Sequence, residues 1–104
     1  MILAIDFDGV IHDHKHPSPG KKMGAPIEGA KSYMDLFRAQ GHKLIIHSCR
    51  GDAGNVISDW MKFYDIPFDE ITDKKPTADV YLDDKAVRFI SWKDASTSLI
   101  YLRL

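Results

Sequence analysis

One cysteine, Cys49, stands in the whole chain, so no internal disulfide can form and a reducing compartment fits. No apolar run approaches the roughly 18–20 residues needed to span a bilayer. An excess of either charge is missing too: 14 Lys and Arg against 15 Asp and Glu leave a net charge of −1. That removes the global basic field that would draw in nucleic acid, and leaves at most a local patch. The first residues, Met1-Ile2-Leu3-Ala4-Ile5-Asp6, carry no basic leader and reach an acid too early for a signal peptide. Together these absences suggest a cytoplasmic protein with no membrane association. What is present suits a single domain over 1–104: with 44% hydrophobic residues the chain can bury a core of its own, which argues against disorder.

Short apolar runs alternate with helical periodicities. Ile2 to Phe7 predicts a buried strand that stops at an Asp-Gly turn. Residues 10–25, with Pro17, Pro19, Gly20 and Gly24, predict a loop or small flap. Pro26 is suited to open a helix, along which Ile27, Ala30, Met34 and Phe37 recur on one face until Gly41. Lys43 to His47 predicts a second strand. Asp52 can cap the next helix, whose apolar face runs through Ala53, Val56, Ile57, Trp60, Met61 and Tyr64 before Pro67 ends it. Trp60 and Phe63 read as packing residues. Residues 68–72 and 79–82 predict two further strands. Ser91 to Ala95 suggests one helical turn, and 99–104 an edge strand, with a short helix as the alternative. Trp92 suits either a core or a partner surface. Alternating strands and helices imply an α/β fold with a parallel sheet and right-handed crossovers.

In open α/β sheets, ligands bind just beyond the carboxyl ends of the strands. The first strand delivers Asp6 and Asp8 to that rim. The second delivers Ser48, followed by Cys49 and Arg50. The fourth delivers Asp83 and Asp84, with Lys75 upstream of it and next to Pro76. Clustered carboxylates repel one another and are costly to bury uncompensated. A divalent cation resolves this, and an all-oxygen ligand set favours Mg²⁺ over zinc. Ser48 and Lys75 would then serve the oxygens of a phosphoryl group. Those ingredients suit phosphoryl transfer on a phosphorylated substrate.

Four segments, in order, resemble the motifs of the haloacid dehalogenase superfamily of phosphatases. They are Asp6-Phe7-Asp8-Gly9-Val10, Ser48 after Leu44-Ile45-Ile46-His47, Lys75 before Pro76, and Tyr81-Leu82-Asp83-Asp84-Lys85. The resemblance spans residues 2 to about 88. It implies a three-layer Rossmann-like parallel sheet with helices on both faces. It also implies roles. Asp6 would attack phosphorus and become an aspartyl-phosphate. Asp8 would protonate the leaving group and then activate water. Asp6, the backbone carbonyl of Asp8, Asp83 and Asp84 would hold Mg²⁺. Ser48 would bind the phosphoryl group and Lys75 would neutralise charge, with Gly9, Cys49 and Arg50 bordering the substrate. The family's usual threonine is Val10 in this chain. Neither gap between motifs has room for a cap domain, so the chain resembles the capless members. An open site admits large substrates or is closed by a second subunit, which leaves a homo-oligomer open.

Lys74 competes with Lys75, and the Lys-Pro pair favours Lys75. His12, His14 and His16 alternate, so on an extended flap they would share one face. The simpler reading is an exposed polar loop beside the site, with substrate contact or a metal site as alternatives. Arg50 is either a surface residue or a substrate ligand. Cys49 has no evident base partner and reads as a small packing residue. Two other function classes share some of these features. A signalling receiver domain also clusters acids with a hydroxyl and a lysine, but its acidic pair comes first and its acceptor later, the reverse of the order in this chain. A binding or assembly protein could keep the fold without turnover, but the full set of expected catalytic side chains favours the enzyme.

Overall fold

A computed structural model describes residues 1–102. In chain order the elements are β1 (Ile2–Asp6), β2 (His12–Pro17), β3 (Gly24–Pro26), α1 (Ala30–Ala39), β4 (Lys43–His47), α2 (Val56–Phe63), β5 (Glu70–Thr72), β6 (Val80–Leu82) and α3 (Trp92–Leu102). Four of the strands form one parallel sheet in the order β5-β4-β1-β6. The strands are short and apolar because a parallel sheet is covered on both faces. Leu3 pairs with Leu44 and Ile5 with Ile46 on one face, while Ala4 pairs with Ile45 on the other, and all six are buried.

The first face holds the main core. Leu3, Ile5, Phe7, Leu44 and Ile46 meet Met34 from α1 and Ile57, Trp60 and Met61 from α2. Both helices lie there because β1 to β4 and β4 to β5 step the same way across the sheet, and right-handed crossovers then fall on the same side. The layering therefore departs from the expected helices on both faces. α3 buries none of its described side chains. The second face instead looks onto a groove lined by His47, Tyr81, Ala86, Val87 and Phe89.

Two local expectations are corrected, and the flap is given its form. α1 begins at Ala30 rather than at Pro26, which belongs to β3. The Ile27 N–H donates to the carbonyl of Ile11 at 2.8 Å, tying this stretch to the chain after β1, and Gly29 turns with φ 90° before the helix can start. The flap at 10–25 is a hairpin, β2 against β3 in antiparallel register with an irregularity between His12 and Pro17. The expected edge strand over 99–104 is helical as far as Leu102, and residues 103 and 104 lie outside the described residues. The Ser91 hydroxyl accepts the Asp94 N–H at 3.1 Å, so a capped first turn is already in place for the apolar run to continue. Asp52 acts as expected. It reaches across a 3₁₀ turn at Ala53–Asn55 to accept the N–H groups of Ile57 and Ser58, both at 2.9 Å. Slight burial pushes its carboxyl up, but the donors at Ser58 and Ile57 hold it below the ordinary value.

Trp60 is buried as expected, whereas Phe63 is 73% exposed and packs beside Tyr64, with Lys21 above its ring. Ile46→Ala is therefore expected to cost roughly 2–5 kcal/mol and Phe63→Ala less than about 1 kcal/mol. Urea unfolding of the two variants measures both, and equal costs would contradict this account of the core.

Candidate functional site

Because β1 lies between β4 and β6, the fold brings their three carboxyl ends side by side. Asp6 ends β1, Ser48 follows β4, and Asp83 and Asp84 follow β6. One carboxylate oxygen from each of Asp6, Asp83 and Asp84 lies within 4.8 Å of the others. The Phe7 N–H donates to Asp6 Oδ1 at 3.0 Å, and the Lys85 N–H donates to Asp83 Oδ1 at 2.7 Å, so backbone donors orient two of the three acids. Partial burial, the charge of Asp83 and the nearby Asp84 together push the Asp6 carboxyl up. This is the signature of a cluster short of positive charge. Gly9 has a steric role in this arrangement. Its φ is +88°, and a Cβ there would run into the Asp84 carboxylate.

The structure distributes the other expected residues unevenly. Ser48 is buried, its N–H donates to the Thr72 carbonyl at 3.0 Å, and its hydroxyl accepts the Arg50 N–H at 3.4 Å. Lys75 lines the groove with Asp83, but its ammonium sits 4.8 Å from the centre of the Tyr81 ring rather than on a carboxylate. Lys74 is exposed on the preceding turn, its N–H donating to the Thr72 hydroxyl at 3.1 Å. Cys49 is exposed rather than a packing residue.

Asp8 turns away from the acidic trio. Arg50 grips it with two bonds, Nε to Oδ2 at 3.0 Å and Nη2 to Oδ1 at 2.6 Å. His12 Nδ1 lies 2.7 Å from Oδ1. Partial burial pushes the Asp8 carboxyl up, but the bonds from Arg50 and His12 outweigh it and hold the group below its ordinary value. Arg50 is thus neither a bare surface residue nor, in this state, a free substrate ligand.

The three histidines do not share one face. His12 is 2% exposed and turned into the core, which overturns the reading of all three as an exposed loop. His14 is exposed, and His16 pairs with Asp13 at 3.0 Å on the surface. Nothing in the sequence separates His12 from the other two, because its partners Gly24 and Trp60 come from distant parts of the chain.

No protein-family model matches the chain, and no curated protein matches it. A solved structure does: the conserved protein coded by a locus of Bacteroides thetaiotaomicron. It superposes with a TM-score of 0.68 at 25% identity, covering 100% of this chain and 92% of that one. The match supports the α/β fold over the whole chain. No helix among the described residues is long and apolar enough to cross a membrane.

The raised Asp6 carboxyl has a thermodynamic consequence. Its contribution to stability is complete below the ordinary value of 3.8 and is lost as pH rises through the higher folded value. At pH 7 in a chelating buffer, Asp6→Asn is expected to raise Tm, and the gain should vanish in strong acid. Differential scanning calorimetry measures this, and an unchanged or lower Tm for Asp6→Asn at pH 7 would refute the charge-deficit account.

Proposed function

We propose that this chain is a capless phosphatase of the haloacid dehalogenase type, Mg²⁺-dependent, hydrolysing a phosphate monoester through an aspartyl-phosphate on Asp6. The observation that carries this reading is the meeting of Asp6, from the first strand, with Asp83 and Asp84, from its neighbour, at a spacing that suits one cation. The residues fit that ion. The donors are all oxygen, and the Asp6 carboxyl is pushed up in a way that added positive charge would relieve. Asp6, Asp83 and the backbone carbonyl of Asp8 would hold Mg²⁺, with Asp84 assisting. The ion would supply charge stabilisation for the phosphoryl oxygens.

The chain's own residues then divide the work. The free oxygen of Asp6 attacks phosphorus as the ester P–O bond breaks. Asp8, which must first take up a proton against the pull of Arg50 and His12, donates it to the departing alkoxide, leaving an alcohol and an acyl phosphate. Asp8, now ionised, accepts a proton from the water that attacks phosphorus and releases phosphate. Ser48 donates its hydroxyl to a phosphoryl oxygen. Lys75 must leave the Tyr81 ring to neutralise charge, and Arg50 is close enough to Asp8 to bind the phosphoryl group's outer oxygens. The hairpin and α1 fill the stretch between β1 and β4, and a single α-helix separates β4 from β5, which supports the capless reading. A small phosphate ester suits a site at the edge of a chain with almost no net charge. The exposed free Cys49 suits a reducing compartment such as the cytoplasm.

A panel of phosphate esters assayed with and without Mg²⁺ tests the reading. Wild type should turn over at least one ester only with the metal, and Asp6→Asn should lose about 10³-fold or more in kcat. Equal activity of the two proteins would overturn the assignment of Asp6.

A further inference from the structure

His12 belongs to none of the four motif segments, yet it is among the most buried polar side chains in the molecule. Its ring stacks on Phe7, with centroids 5.0 Å apart and planes at 15°, and meets the edge of Trp60 at 5.3 Å. The Gly24 N–H donates to its Nε2 at 2.8 Å. A nitrogen that accepts a backbone N–H carries no proton of its own, so the ring proton sits on Nδ1 and is donated to Asp8 Oδ1 at 2.7 Å. Gly24 is held in turn, because Trp60 Nε1–H donates to its carbonyl at 3.0 Å. Gly24 can only be glycine: a Cβ there would strike the Asp13 carbonyl oxygen.

We propose that His12 is a positioning residue for Asp8, holding the carboxylate so that Oδ2 is the oxygen that exchanges the proton with leaving group and water. An ionised carboxylate offers about four acceptor positions. His12 and Arg50 Nη2 take both on Oδ1, and Arg50 Nε takes one on Oδ2. The remaining position lies on Oδ2. The backbone of the flap fixes the tautomer, and α2 fixes the flap through Trp60, so Asp8 is aimed by a chain of bonds running from the core to the site. This inference rests on the proposed acid–base role of Asp8.

The test uses leaving-group dependence, which a purely structural role would not move. The values of kcat/KM for an alkyl and an aryl phosphate report the step in which Asp8 protonates the leaving group, and the aryl ester needs little help there. His12→Ala should lose about 10²-fold on the alkyl ester and about 10-fold or less on the aryl ester. His12→Asn places an amide N–H near Nδ1 and should restore most of the alkyl activity. His12→Gln places its amide near Nε2, keeps the link to Gly24, and should not restore it. Circular dichroism checks that each variant folds, and ¹⁵N chemical shifts of the wild-type imidazole should show Nδ1 protonated and Nε2 bare. Equal losses on the two esters, or rescue by His12→Gln as good as by His12→Asn, would overturn the positioning role while Asp6-dependent turnover remained. An inert wild type, or an active Asp6→Asn, would instead remove the site reading and this inference with it.

Discussion

The parallel pairing of β1 between β4 and β6 is the constraint on which the rest of the molecule depends. It places Asp6 beside Asp83 and Asp84, three carboxylates with oxygens within 4.8 Å of one another. Their mutual repulsion works against the fold at the half-exposed carboxyl rim of the sheet, and the apolar strand core behind them offsets it. The register of β6 on β1, Leu3 with Val80 and Ile5 with Leu82, sets Asp83 and Asp84 beside Asp6, while Leu3 with Leu44 and Ile5 with Ile46 anchor β1 itself in the core. The raised Asp6 carboxyl is the local mark of that tension.

Asp8 stands two residues away under opposite conditions. Asp6 faces other acids, whereas Asp8 is gripped by Arg50 and His12 and held ionised. Two carboxylates on one turn are thus pushed in opposite directions, Asp6 up by burial and its acidic neighbours and Asp8 down by the donors that grip it. The turn makes this possible. The Phe7 carbonyl accepts the N–H groups of Ile11 and His12, each at 2.9 Å, and so folds His12 back under Asp8.

Much of this was legible in the sequence. The strand cores were visible as short apolar runs, because a buried parallel strand needs apolar residues on both faces. The rim residues followed from where those runs stop. Element boundaries were less legible where contacts between distant segments set them. Pro26 resembles a helix start, yet pairing with His12 draws it into β3 and delays α1. The run Leu99 to Leu102 is apolar enough for a strand, and the capped turn at Ser91 carries it into a helix instead. Phe63 falls outside the face that α2 turns to the sheet and is left in solvent.

The sequence by itself determined which chemistry-bearing residues reach the carboxyl rim, because strand ends and turn signals are local properties of a short stretch of chain. Only the tertiary structure decided how they are partnered. Asp8 meets Arg50 across 42 positions, and His12 meets Gly24 and the neighbourhood of Trp60. Those contacts depend on how a hairpin and a helix pack over one face of the sheet, and alternation within His12, His14 and His16 carries no trace of it. The same holds for α3, whose apolar character is plain in the sequence but whose lack of a seat appears only when every other element has found its place.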